Sequence, residues 1–167
     1  QHPLYILYNE SISIKRTLFL QCKSQNSGGG IHYVNKNGMI TITNSFFQNC
    51  ISYMQGGGIF CKCSETTVHS VIFTLCNSVS SQAGYFETSV YSEIYLILAY
   101  NCFLSSEVTY MGPVIDITND YDEFLYPSFY DSFNFSHNTI RKDHLTSLLS
   151  VKCLGNGFDY MSNIYMS

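Results

Sequence analysis

The feature that most constrains this chain is that it repeats itself. Phe19-Leu-Gln-Cys22 is followed eight residues later by Gly30-Ile31, and Phe47-Gln-Asn-Cys50 is followed eight residues later by Gly58-Ile59. A third copy has Phe73-Thr-Leu-Cys76 and then Gly84-Tyr85. A weaker fourth has Cys102 and then Gly112, and a fifth has Phe135-Ser-His-Asn138 and then Leu148-Leu149. The anchors Cys22, Cys50, Cys76 and Cys102 are therefore 28, 26 and 26 residues apart. Self-similarity at a fixed period in this range marks a repeat architecture, in which each unit contacts only its neighbours.

Counting back eight residues from the anchors gives Ile14, Ile42, Val68 and Ile94; counting back three gives Phe19, Phe47, Phe73 and Ala99. Around these positions apolar and polar residues alternate, as in Ile12-Ser-Ile14, Ile40-Thr-Ile42 and Ile94-Tyr-Leu96, which is the period of a half-buried strand. Further β-prone runs follow each Gly group, at Ile31-His-Tyr-Val34, Ile59-Phe-Cys61, Tyr85-Phe86, Val114-Ile-Asp-Ile117 and Leu148-Leu-Ser-Val151. Each unit thus holds three short strands. The pattern predicts an all-β fold, a right-handed parallel β-helix of about five coils of 26–28 residues, with equivalent side chains stacked along the axis. The whole of 1–167 reads as one solenoid. Because the pattern is already running at Ile12, the expectation is a segment of a longer protein.

The Gly groups fit turns, since Gly takes positive φ and lets another backbone approach closely. A phosphate-cradling loop would need a following Lys-Ser/Thr and a helix, and neither is present. The pairing of Phe-x-x-Asn with Gly-Gly-x-Ile resembles the repeat of the polymorphic outer-membrane proteins. Phe135-Ser-His-Asn138 matches the first half; Gly29-Gly30-Ile31 and Gly57-Gly58-Ile59 match the second. Cys stands in place of the Asn at Cys22, Cys50 and Cys76. The resemblance implies a surface-displayed, adhesive or recognition role.

Charged residues are only 12% of the chain and the net charge is −4, which leaves no basic footprint for nucleic acid. No apolar run is long enough to span a bilayer. Seven cysteines is an odd number, and four share one repeat position, so they read as a column of small buried thiols rather than a disulfide framework. Cys61-Lys-Cys63 lacks the gap and second pair of a zinc site; strand alternation puts both thiols on one face, as a core contact. The sequons Asn9-Glu-Ser11 and Asn134-Phe-Ser136 count towards a secretory route. His32, His69, His137 and His144 fall at different phases and read as turn or surface residues.

The register fails between Cys102 and Asn138, where the spacing grows to 36 residues. The extra residues fall in 118–127, an acidic and aromatic stretch that reads as an inserted loop, the kind of element that carries binding on a solenoid. Asp120, Tyr121, Asp122 and Tyr126 are the candidate binding residues. Asp116, Asp120, Asp122 and Glu123 could together offer carboxylate oxygens to Ca²⁺, although the spacing is not an EF-hand and a solvated acidic loop is the plainer reading. No other cofactor is expected.

These features point to a non-enzymatic structural or interaction module, cell-surface or secreted, that binds a protein or glycan along one face. An intracellular structural assembly is a variant that reduced cysteines would favour. The alternative of another class is a polysaccharide-active lyase or hydrolase, which would require acidic and basic residues converging on one face of adjacent coils.

Overall fold

The structure, a computed structural model, describes residues 2–6, 11–100, 103–104, 115–119, 128–136, 149–153 and 159–166. Among them every regular element is a strand. The chain opens with β1 (Leu4–Ile6), β2 (Ser11–Lys15), β3 (Leu18–Leu20) and β4 (Lys23–Ser24). It continues with β5 (Ile31–Gln48), β6 (Ile51–Ser52), β7 (Ile59–Thr74), β8 (Asn77–Ser78) and β9 (Gly84–Tyr100). Then come β10 (Phe103–Leu104), β11 (Ile115–Asn119), β12 (Ser128–Ser136), β13 (Leu149–Cys153) and β14 (Asp159–Met166).

All paired strands are parallel. The main ladder runs β1-β5-β7-β9-β11-β13, and a second, narrow one runs β10-β8-β6-β4. This is a parallel β-solenoid. It makes about three turns, fewer than the five counted from the sequence copies. The full coils are those of β5, β7 and β9, and shorter rungs lie before and after them.

A second difference concerns the strands. Instead of three short strands per coil, β5, β7 and β9 run for 18, 16 and 17 residues, each followed or preceded by a two-residue strand. The reason lies in the corners. Arg16, Asn44 and Ser70 have φ of 51°, 50° and 55°; Gln21, Asn49 and Leu75 have 52°, 54° and 54°. At Asn44 and Ser70 a single left-handed residue bends the chain sharply without ending the strand, so segments that look separate in sequence remain one strand. The strands stop short of Gln21, Asn49 and Leu75. A third set of corners is made by Gly28 (74°), Gly56 (64°) and Ser81 (58°). Here the Gly groups do make the turns expected of them.

At the Ile and Phe positions the register is what the repeat predicted, but Gly84 pairs with Ile59, so Ala83 and not Gly84 continues the position of Gly30 and Gly58. Ile14 pairs with Ile42, Ile42 with Val68 and Val68 with Ile94, and all four are buried. Phe19, Phe47 and Phe73 are in register and buried, with ring centroids 4.6 and 5.1 Å apart. The register continues through Ala99 to Phe135. Removing rings of this size from water stabilises the coil by about 1.5–3 kcal/mol each, and offset stacking adds to that. Ser24, Ser52 and Ser78 are also buried, and their hydroxyls donate to the carbonyls of Ser27, Gln55 and Ser81 at 3.2, 2.9 and 3.0 Å. These bonds brace the third corner, where the Gln55 and Ser81 carbonyls also accept from Gly28 N and Gly57 N of the preceding coil.

Candidate functional site

One corner differs from coil to coil. Between the paired segments that end at Asn35, Cys63 and Thr88 and those that begin at Met39, Glu65 and Tyr91, the chain spends three, one and two residues respectively. The middle coil therefore cuts the corner at Ser64, while Lys36-Asn37-Gly38 and Ser89-Val90 take longer ways round in the coils beside it. The result is a recess of about 250 Å³ lined by Val34, Lys36, Lys62, Cys63, Glu87, Thr88 and Ser89.

Its walls come from two faces of the strands. Lys62 and Glu87 are outward-facing partners across the β7–β9 ladder, and Lys62 Nζ lies 2.7 Å from Glu87 Oε2. Tyr85 donates its hydroxyl to the same oxygen at 2.7 Å. Burial alone would raise the Glu87 pKa, but the hydrogen bonds from Lys62 and Tyr85 outweigh it and hold the carboxyl below its ordinary value. Burial, followed by the Glu87 carboxylate, pushes the Tyr85 phenol up. Lys62 Nζ also sits 5.7 and 5.6 Å from the ring centroids of Phe60 and Tyr85.

Behind Lys62, two thiols face inward. Cys61 and Cys63 are both buried and not joined by a disulfide, with their Sγ atoms hydrogen-bonded at 3.3 Å. The Thr66 hydroxyl lies 3.6 and 3.1 Å from them, and Cys63 donates to the Glu65 carbonyl at 3.1 Å. Cys61 is sealed between the Tyr33 and Phe86 rungs, whereas Cys63, at the end of its ladder segment, reaches the recess wall. The sequence reading placed these thiols on one face as a core contact, and they are one. The opening beside Cys63 was not foreseen.

Cys22, Cys50 and Cys76 are likewise buried thiols. Cys50 and Cys76 each donate a long bond to a carbonyl of the preceding coil, Phe19 and Phe47, at 3.5 Å. Burial pushes the Cys22 thiol up. Cys102 lies outside the described residues.

On the outer face, Tyr5, His32, Phe60 and Tyr85 form a row with successive ring centroids 5.1, 5.1 and 5.2 Å apart. His69 stacks on Tyr95 at 4.1 Å. Both histidines thus belong to strands and have ring partners; they are not turn residues. His137 and His144 lie outside the described residues.

So do Asp120, Tyr121, Asp122, Glu123 and Tyr126, the sequence-predicted binding and Ca²⁺ residues other than Asp116. Asp116 does not belong to a solvated loop. It is a buried residue of β11 in register with Tyr85, and its Oδ1 has no hydrogen-bond partner among the described residues. Among those residues no three His, Cys, Asp or Glu side chains group as a metal site. Nor is any helix among them long and apolar enough to cross a membrane. Comparison with family models, curated proteins and solved structures finds no match for this chain.

Proposed function

We propose that this solenoid is a non-enzymatic interaction module, displayed on a cell surface or secreted, that binds a protein or glycan through the face containing the short corner. The observation that carries the reading is the recess itself. A rigid stacked core holds Lys36, Lys62, Glu87, Thr88 and Ser89 around one concavity, and preformed clefts with a few placed polar groups are where ligands bind. The state of Glu87 supports a binding role over an acid-catalytic one. A general acid of a glycosidase needs a raised pKa, and this carboxyl is held down by Lys62 and Tyr85. The likeness of the repeat to the polymorphic outer-membrane proteins supports surface display. Under the same reading, Cys22, Cys50, Cys76 and Cys102 form one column of thiols that helps to fill the core.

The test is a screen of immobilised glycans and candidate surface proteins with the wild-type chain and a Lys36→Ala/Lys62→Ala variant. A ligand retained by the wild type and lost from the variant supports the proposal. A ligand held equally by both moves the interface to another face. Release of reducing sugar from a bound polysaccharide would establish the enzymatic alternative instead.

A further inference from the structure

We propose that Cys61 and Cys63 are a thiol–disulfide exchange site, closing an intramolecular disulfide at the expense of small-molecule disulfides that enter the recess, with Cys63 reacting first and Cys61 resolving. The proposal goes beyond ligand binding and does not depend on it, since the two sulfurs and the access to one of them are enough.

Three observations converge. The sulfurs are already 3.3 Å apart and inward-facing on one strand. Cys63 borders the recess with 4% of its surface exposed, while Cys61 has none, so an incoming disulfide meets the two thiols in a fixed order. The ladder register breaks just after Cys63, between it and Glu65, so the backbone there can shift without opening paired rungs. The thiols also differ in acidity in the matching sense. A hydrogen bond from Cys61 lowers the Cys63 pKa, and burial raises that of Cys61. The thiolate is the attacking species, so Cys63 is the better first nucleophile.

The chemistry balances as two exchanges. The Cys63 thiolate attacks one sulfur of a small disulfide, forms a mixed disulfide and expels one thiolate, which takes up the proton Cys63 gave up. Cys61 then loses its proton and attacks Cys63 Sγ, forming the Cys61–Cys63 bond and expelling the second small thiol. Two protein thiols are oxidised and one small disulfide is reduced to two thiols. Residues two apart on a strand have Cα atoms roughly 6.6 Å apart at a rise of ~3.3 Å per residue. That is close to the upper limit of about 6.8 Å for a disulfide, so the bond is strained and readily reduced again.

The experiment treats the folded, reduced chain with 2-hydroxyethyl disulfide and maps each cysteine by mass spectrometry. The expected result is a peptide spanning Cys61 and Cys63 that has lost two hydrogens, with Cys22, Cys50 and Cys76 still thiols and full reversal by dithiothreitol. Cys61→Ser should stop at a hydroxyethylthio adduct on Cys63, and Cys63→Ser should leave Cys61 unmodified. An adduct on Cys61 in the Cys63→Ser protein would overturn the order of attack. A pair that stays reduced in the wild type would overturn the site. If either variant misfolds, iodoacetamide labelling of the wild type decides, because the thiols compete within one molecule. Cys63, which borders the recess, should be alkylated at least about tenfold faster than Cys50, which has no exposed surface, and equal rates would sink the proposal.

Discussion

Gly58 and Phe73 compete for one space: a Cβ on Gly58 would lie 2.7 Å from Cδ1 of the Phe73 ring. The coil before repeats the arrangement, with Gly30 against Phe47 at 2.8 Å. In the third coil both members change. Ala83 takes the place of Gly58, accepting the hydrogen bonds of Gly58 N and Ile59 N, and Ala99 stands in register with Phe73. The glycine of the turn is thus tied to the size of the side chain opposite, and not only to backbone conformation.

Gly58→Ala should destabilise the protein by about 1–3 kcal/mol through overpacking. Phe73→Ala should cost about 3–5 kcal/mol through the cavity it leaves. The double variant should fall short of the sum by about 0.5–3 kcal/mol, because the new methyl occupies part of the vacated volume. Urea melts of the four proteins measure the coupling; strict additivity would refute the shared space.

Phe47 is stacked between Phe19 and Phe73 and fully buried. Truncating it removes a ring stacked on both neighbours, and Phe47→Ala should cost about 3–5 kcal/mol. A thermal melt unchanged from wild type would contradict its place in the core.

Asn44 is exposed and has φ of 50°, so its contribution lies in the backbone of the corner. A β-branched residue resists that conformation, and Asn44→Val should cost about 1–2 kcal/mol. Asn44→Gly should change stability by only a few tenths of that. Equal melting temperatures for the two variants would mean that the corner is not fixed by its left-handed residue.

Glu87 ionises more easily in the folded chain than in the unfolded one. Its contribution to stability is therefore complete above the unfolded value, about 4.3, and is lost as pH falls through the lower folded value. Glu87→Gln should flatten the acid limb of the stability curve in that window and leave the curve near neutrality parallel to wild type. Urea midpoints collected across the acid range test this, and parallel curves throughout would show that Lys62 and Tyr85 do not hold the carboxylate.

The core was legible because stacking makes it redundant: Ile14, Ile42, Val68 and Ile94 repeat one chemistry at one phase, as do Phe19, Phe47 and Phe73. The Cys-x-Ser run at Cys22–Ser24, Cys50–Ser52 and Cys76–Ser78 carried a further signal that went unread, the serine that closes the third corner. The recess was not legible for the opposite reason. It arises where neighbouring coils differ, at Lys36–Gly38, Ser64 and Ser89–Val90, and a search for likeness passes over such positions. Long strands were missed because each repeat shows its β-prone runs as separate segments, whereas a left-handed corner at Asn44 or Ser70 joins such runs into one strand.

The corner that spends three, one or two residues while Ile42, Val68 and Ile94 stay aligned has an evolutionary corollary. Codons can be gained or lost at that edge without shifting the reading of any other position in the stack. Coil length is then set independently of the core, and the outer relief can be remodelled coil by coil while the interior stack keeps its alignment.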